Sequence, residues 1–268
     1  MRSLIAAVAL AMVVATGACW FPDRGFVQSD APPPPDAPPG PFDCHNVGTS
    51  SKVQATVKIS GVVQIAQMGT ALGGASVELF DADAPVQTIV TPTTGPDMGA
   101  FSFQLVTVGR PIDIHLRVTD NNYITTLYYP AESVTHDIVI LPQMFNTAIA
   151  GYVAMKMGIT LDMMNKVQFL IGAVDCQENA LGGVTVMVSP QGDKVHYFVD
   201  NQSPMPDPNA TVTDSATGAA VAANLPPQFI NVSATYPSPS DGSPQTMFHH
   251  MIDAGGAAGT LIQTEIRP

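Results

Sequence analysis

The chain contains 268 residues, of which 46% are hydrophobic and only 12% are charged, and it carries a formal net charge of −12 at pH 7. This apolar content is sufficient for well-formed cores and excludes general disorder. The acidic balance excludes a basic surface for nucleic acid, and any attachment to an anionic membrane must come from something other than charge. Because proline (24 residues) and glycine (22 residues) are frequent, strands and turns are favoured over long helices.

The first segment, MRSLIAAVALAMVVATGAC, has the organisation of an export signal. Arg2 precedes an apolar run over residues 4–14, and small residues lead into Cys19. The run is too short to cross a hydrocarbon core of about 30 Å as a helix. An ordinary secretory signal is one interpretation. The other is a lipoprotein signal, because TGAC resembles the bacterial lipobox, although Thr16 stands where that motif usually has leucine. We expect a lipoprotein signal peptide over residues 1–18 and lipidation of Cys19.

Residues 19–52 are predicted to form a proline-rich linker carrying the lipid. Seven prolines fall within residues 32–41, and such a stretch is extended because proline fixes φ and lacks an N–H. Residues 31–41 alone span about 34 Å. The linker is interpreted as a spacer that lifts the body off a lipid surface, the alternative being a tail without a role. We expect a lipid-anchored protein of the cell envelope, in the outer membrane of a Gram-negative bacterium.

From residue 53 onward, apolar and polar residues alternate in short runs, which is the period of half-buried strands. Glycine- and aspartate-rich turns separate the runs. Seven short strands in about 90 residues predict an antiparallel β-sandwich over residues 53–141. The predicted strands cover residues 57–65, 75–80, 86–90, 101–106, 112–118, 124–129 and 136–141.

A helical connector is predicted within residues 142–165. Asn146 or Thr147 is suited to cap a helix, and Gly158 is suited to end it. The apolar face is expected to contain Ile149, Tyr152 and Val153.

The strand pattern then begins again, and ALGGASV at residues 71–77 returns as ALGGVTV at residues 180–186. The order of turns and strands around the two segments is also the same, which indicates one module present twice. The second antiparallel β-sandwich is predicted over residues 166–268. Its strands are expected over residues 166–174, within 180–188, and over 196–199, 210–214, 217–225, 228–236 and 259–266.

The repeated pattern of glycines and alternating apolar residues resembles the carboxypeptidase regulatory-like domain, a transthyretin-like β-sandwich. The resemblance implies non-catalytic modules, often found in extracytoplasmic proteins, that serve adhesion, display or recognition of polymers. The second copy departs from the pattern, with Ala219 and Val221 in place of an aromatic pair. The residues that carry the resemblance are Gly61, Leu72, Gly74, Ala75, Val77, Leu79, Gly99, Phe101, Phe103, Gly109, Leu116 and Val118, then Gly172, Leu181, Gly183, Val184, Val186, Gly218, Val221, Ile230, Val232 and Ala234.

Besides Cys19, the chain has two cysteines, Cys44 and Cys176. An exported protein meets an oxidising compartment, so the pair is a candidate disulfide that would clamp the modules together. The alternative is two separate thiols. Without a CxxC spacing, a zinc site is not expected.

Motifs for nucleophilic, phosphate-binding or zinc-dependent chemistry are absent from the sequence. Tyr128-Tyr129 and His249-His250 invite comparison with the iron ligands of intradiol dioxygenases, but their spacing does not fit. His249-His250 are expected in an exposed loop before the last strand, the alternative being an adventitious metal site formed with Asp253. The acidic runs at residues 81–85 and 200–214 lack the spacing of a calcium loop. Tyr123, Tyr128 and Tyr129 are expected to pack in the core, the alternative being a sugar-stacking patch.

The sequence therefore predicts an all-β protein with two tandem antiparallel β-sandwich domains, and no catalytic residue, metal or cofactor. Expected partners are the membrane, through the lipid, and another envelope protein or a surface polysaccharide. The alternative is an extracytoplasmic enzyme or an accessory subunit of a hydrolase. A cluster of His115, His136, Asp113 and tyrosines would favour the enzyme, but the strand face that carries His115 and Asp113 is predicted to be exposed.

Overall fold

The computed structural model describes residues 53–81, 84–200, 204–238 and 242–268. The predicted signal peptide and linker, with Cys19 and Cys44, lie outside these ranges. In the described part of the chain, no helix combines the length and the apolar character that crossing a bilayer requires. The elements are β1 (Thr56–Val62), β2 (Gln64–Ile65), β3 (Ser76–Asp81), β4 (Ala84–Val90), β5 (Ala100–Val106), β6 (Ile114–Thr119), β7 (Thr126–Tyr129), β8 (Ile138–Ile140), β9 (Gln143–Met144), α1 (Thr147–Met157), β10 (Val167–Ala173), β11 (Thr185–Ser189), β12 (His196–Asp200), β13 (Pro204–Asp207), β14 (Ala219–Leu225), β15 (Phe229–Pro237), β16 (Pro244–Asp253) and β17 (Leu261–Ile266).

The all-β class is confirmed, and most predicted strands are present within a few residues of their expected bounds. Three differences fall in the second half. Residues 210–214 form no strand, whereas β13 and β16 were not predicted. In β16 the strict alternation is broken by a bulge opposite Val232–Ala234, which removes the local signal of a strand.

One nine-stranded sheet runs through both halves in the order β13-β12-β14-β10-β17-β7-β6-β3-β4. The sheet β5-β1-β8 packs on the first-half strands, on one face, around a core that includes Ile59, Leu79 and Leu116. The sheet β11-β15-β16 packs on the second-half strands, around a core that includes Phe169 and Val232. Two cores therefore form on a shared sheet.

The halves meet where β7 pairs with β17 in parallel, with Thr126 opposite Leu261 and Tyr129 opposite Thr264. Successive side chains of a strand point to opposite faces. Accordingly Tyr128 belongs to the first core, while Leu127 and Tyr129 belong to the second. The division into two separate sandwiches at residues 141 and 166 stays an interpretation, because a strand pair crosses that boundary.

The junction also has a polar side. The Tyr128 hydroxyl donates to the Glu265 carboxylate at 2.9 Å, and Glu265 is 4% exposed. The Gln263 side chain accepts from the Gln143 backbone N–H at 3.0 Å and donates to the Gln143 carbonyl. These buried groups from the two halves satisfy one another, which fixes the register of the pairing.

Thr91 anchors the turn that precedes β3 in the first half. Its hydroxyl accepts from the Ala75 N–H at 3.1 Å and donates to the Leu72 carbonyl at 3.3 Å. Its backbone N–H also donates to the Ala75 carbonyl at 2.9 Å. Thr91 is 2% exposed, so these bonds replace water that the turn cannot reach.

Thr213 makes the same bonds in the second half. Its hydroxyl accepts from the Val184 N–H at 3.0 Å and donates to the Leu181 carbonyl at 2.6 Å. Its backbone N–H donates to the Val184 carbonyl at 2.9 Å. Residues 210–214, predicted as a strand, form no strand; their Thr213 instead holds the turn that precedes β11. The two copies therefore share this threonine as well as the LGG segment, although the sequence patterns did not align Thr91 with Thr213.

The strand pairing also corrects which glycines of the two copies correspond. Val62 is paired with Ala100, and Gly172 is paired with Ala219. Both alanines directly follow a glycine of positive φ. Gly172 therefore corresponds to Val62 rather than to Gly61. A different constraint requires glycine at position 61, because a Cβ there would lie 1.7 Å from the Ile140 carbonyl oxygen.

The predicted ends of the helix are confirmed. Asn146 caps α1 by accepting from the Ile149 N–H at 2.8 Å, and Gly158 ends it with φ of 72°. The predicted apolar face is partly wrong, because Tyr152 is 43% exposed. The buried face packs on Leu170, Val221 and Leu261, on the side of the nine-stranded sheet opposite β11-β15-β16, so α1 covers that side of the sheet. Its buried residues are Ala150, Val153, Ala154 and Met157.

Replacing either threonine by valine keeps its shape and removes the hydroxyl. Thr91→Val and Thr213→Val each leave a buried N–H without its partner, so each is expected to lower the free energy of unfolding by about 1–3 kcal/mol. Urea denaturation of each variant measures this loss. Thr88→Val on exposed β4 is the matched control, with a change within about 0.5 kcal/mol. A loss at only one of the two sites would contradict their equivalence.

Candidate binding cleft

Three rings form a stacked row across the outer face of the first-half strands. Phe80, His115 and Tyr129 lie opposite one another on β3, β6 and β7, as the pairing registers require. The Phe80 and His115 ring centroids are 4.5 Å apart with planes 10° from parallel, and those of His115 and Tyr129 are 5.0 Å apart at 20°. Both faces of the middle ring, that of His115, are thus covered by its neighbours.

The next row along the same face is charged. The Arg117 guanidinium lies 5.2 Å from the Phe80 ring centroid and forms an ion pair with Glu78 through its Nε, at 2.5 Å. The Arg117 side chain is 44% exposed. The guanidinium is held between a ring and a carboxylate, and this restricts the conformations that the side chain can adopt.

The loop between β16 and β17, residues 254–260, forms the wall of the cleft and comes from the second half. The Tyr129 hydroxyl donates to the Asp253 carbonyl at 3.3 Å, and the Asp253 carboxylate accepts from the Gly255 N–H at 2.8 Å. Wall and floor enclose a cleft of about 290 Å³. Because the floor is first-half strand and the wall is second-half loop, the cleft exists only through the pairing of β7 with β17. Its lining is Phe80, His115, Arg117, Thr125, Leu127, Tyr129, Asp253, Gly255, Gly256, Ala257 and Thr260.

The cleft offers recognition chemistry: a guanidinium, an exposed carboxylate, ring edges and a small-residue wall that lets a ligand approach the backbone. Both faces of the His115 ring, and one face each of Phe80 and Tyr129, are turned toward a neighbouring ring and closed to a sugar. Among the described residues, no group of three or more His, Cys, Asp or Glu is placed to hold a metal ion.

The residues whose clustering would favour an enzyme are divided between two places: His115 stacks on Tyr129, while His136 lines a separate cleft with Tyr128. Asp113 accepts a hydrogen bond from the Ser133 hydroxyl, and His136 contacts the Thr135 hydroxyl at 3.0 Å. Both are exposed, whereas His115 is half-buried in the ring row. The prediction of an exposed face therefore holds for Asp113 and is wrong for His115, because stacking on Phe80 and Tyr129 covers the imidazole.

The predicted packing of the tyrosines is confirmed, since Tyr128 and Tyr129 are 3% and 9% exposed and Tyr123 packs against the first core. The loop predicted for His249-His250 is wrong, because both lie in β16; their side chains are outside the described part. Parts of both acidic runs, residues 82–83 and 201–203, also lie outside it.

Cys176 follows Asp175, whose carboxylate accepts from the backbone N–H groups of Gln177 and Asn179. These bonds hold the turn that follows β10. The other cysteines lie outside the described residues, so the pairing with Cys44 stays a prediction.

A second polar cluster lies at the chain's end, on the polar side of the junction. Arg267 donates to Glu178 at 3.0 Å and to Glu265 at 3.4 Å. Burial alone would lower the pKa of Arg267, but the carboxylates of Glu265 and Glu178 outweigh it and raise the pKa. This cluster ties the hairpin after β10 to β17 and thereby to β7.

The sequence did not single out Phe80 or Arg117, and it pointed to Asp253 only as an adventitious metal ligand beside His249-His250. Each stands in a strand or strand end with no motif around it. Only the strand register brings Phe80 beside His115, and only the junction brings Asp253 beside Tyr129. A prediction of which strands pair, and in what register, would have been needed to find them.

No family model matches the chain, and no curated protein matches it. Among solved structures, it is similar to catechol 1,2-dioxygenase from Acinetobacter sp. ADP1 (14% identity, TM-score 0.26, 37% of this chain and 55% of that one). It is also similar to the Bacillus anthracis TIE protein (12%, 0.27, 80% and 34%) and to a streptococcal ancillary pilin (12%, 0.24, 80% and 63%). The chain spans less than two thirds of each, and likeness at this level supports no functional argument.

Proposed function

We propose that this is a lipid-anchored protein of the cell envelope that displays an all-β body for a structural or binding role. The support for the anchor is the apolar run that leads through small residues into Cys19, followed by the proline-rich segment. The single observation that carries the display role is the nine-stranded sheet through both halves. A body whose halves share one sheet presents its surfaces in a fixed relation, which suits a scaffold held at the end of a spacer.

The cleft is the surface we assign to partner binding. A concave site with an apolar floor and a few fixed polar groups is the usual form of a binding site. The rings of the row cover one another's facing sides, and Arg117 lies against Phe80; this reduces the platform on which a sugar would stack, so a protein partner is favoured over a surface polysaccharide. Arg117, positioned by Phe80 and Glu78, is the group expected to contribute most, by donating to a carbonyl or carboxylate of the partner.

The disulfide proposed for Cys176 is with Cys44. It would fasten the segment before β1 to the second half, closing a long loop and stabilising the body by up to about 4–5 kcal/mol in the chain-entropy account. It would also fix the point at which the spacer leaves the body.

The anchor is tested by the intact mass of the mature protein and of its Cys19→Ser variant. The natural protein is expected to begin at Cys19, carry acyl chains and fractionate with membranes, because two or more chains give stable attachment. The variant is expected to lose the acyl mass and leave the membrane fraction. Alkylation without reduction should label neither Cys44 nor Cys176. A natural protein that is soluble with residues 1–18 attached would contradict the proposal.

The cleft is tested by replacing Thr125 with a photoreactive residue in cells that make the protein. Thr125 lines the cleft, and Val106, exposed on β5, is the control position. We expect a cross-link to another envelope protein from Thr125 and not from Val106. Adding Arg117→Ala is expected to reduce its yield about tenfold, the loss typical of a central interface arginine. Equal cross-linking from both positions would contradict the assignment, and a polysaccharide adduct would replace the protein partner by a glycan.

A further inference from the structure

A second, smaller cleft lies on the polar side of the junction, and it is called the acidic cleft here. One side is formed by residues 130–140, which connect β7 to β8 in the first half, and the other by side chains at the end of the second half. Its volume is about 70 Å³. The lining contains the carboxylates of Glu132, Glu178 and Glu265 but only one guanidinium, that of Arg267, so it carries a net negative charge.

The first described residues of the chain stand at the first-half border of the acidic cleft. The Gln54 backbone N–H donates to the Thr135 carbonyl at 2.9 Å, and Thr135 lines the cleft. This bond holds Val53, the preceding residue, next to the same border. The chain that precedes Val53 therefore reaches the body at the acidic cleft.

Cys176 lies close to the second-half border of the same cleft. It is two residues before Glu178, which lines the cleft, and Asp175 holds the turn that carries both. The disulfide proposed for Cys44 and Cys176 therefore brings Cys44 to this border. The nine Cα–Cα steps from Cys44 to Val53 reach at most about 30 Å, which is ample for crossing so small a cleft.

We propose that residues 45–52, HNVGTSSK, cross the acidic cleft and cover it, an inference that rests on the Cys44–Cys176 bond of the proposed function. The segment contains two basic residues and no acidic one. His45 adjoins Cys44 and so comes to the side of Glu178, while Lys52 adjoins Val53 and so comes to the side of Glu132. Opposite charges thus meet at both borders of the cleft.

Two further observations select this segment over a separate partner. A segment held at both ends has an effective concentration in the millimolar range at the surface between them, which a separate envelope protein does not reach. The lining also has an apolar part, which includes Val134 and Val139, and Val139 is 52% exposed. Val47, the one large apolar residue of the segment, is suited to cover it.

The crossing decides where the spacer leaves the body. Without it, a pull on the lipid anchor acts on β1, which lies between β5 and β8, and peels that strand away. With it, the pull acts on Cys176 in the second half, and the 45–52 segment stays against the junction between the halves.

Replacing Val47 with a photoreactive residue, in the Cys19→Ser protein, tests the path of the segment. We expect an adduct within the same molecule to residues 130–140, found by peptide mass mapping. The matched control position is Gln28, which precedes the prolines, and its adduct yield is expected to be about tenfold lower, because it is not held at the cleft.

The same digest, left unreduced, separates the possible failures. If the Cys44–Cys176 peptide is present, an adduct to another part of the chain or to another molecule, or an equal yield from both positions, overturns the crossing and leaves the disulfide and the anchor standing. If that peptide is missing, the crossing is overturned together with the disulfide.

Reversing the charge of Lys52 tests the contact at the first-half border. Lys52→Glu places a carboxylate on the side of Glu132 and is expected to speed amide hydrogen exchange in residues 130–140 about fivefold, the upper effect of a partly exposed ion pair. Arg24→Glu, the same change of charge within the spacer, is the matched control, and circular dichroism checks that both variants are folded. Unchanged exchange in Lys52→Glu, or an equal change in both, overturns the proposal.

Discussion

The pairing of β7 with β17 is the constraint on which the rest of the structure depends. It makes one sheet out of two halves that lie far apart in the chain. Because side chains alternate across a strand, β7 serves two cores at once, with Tyr128 in the first and Leu127 and Tyr129 in the second. The cleft follows from this, because the pairing brings the loop at residues 254–260 of the second half against the ring row on the first-half strands.

Polar contacts give the junction its specificity. Tyr128 with Glu265, and Gln143 with Gln263, are buried pairs with one member in each half. A shift of one residue would turn these groups toward apolar surroundings and leave them without partners, which costs far more than a lost surface contact. The apolar face of β7 and β17 supplies burial, and the polar face supplies register. The relation between cleft floor and cleft wall is therefore fixed.

Local patterns predicted what is local. Alternation found most strands, and Asn146 and Gly158 marked the helix ends because capping depends on a few adjacent residues. The face of α1 was missed because it is set by the sheet beneath it. Residues 210–214 were mistaken for a strand, since the hydrogen bonds of Thr213 reach Leu181 and Val184 far along the chain. The β7–β17 pair and the cleft lack any local signal.

Scanning calorimetry tests the shared sheet most directly. The Cys19→Ser protein is predicted to unfold in one transition, with equal van't Hoff and calorimetric enthalpies. Ile59→Val, whose side chain is buried in the first core alone, should move the whole transition downward by a few degrees, for a cost of about 0.5–1.5 kcal/mol. Two transitions, of which only one moves with Ile59→Val, would show that the halves fold separately and would contradict the account.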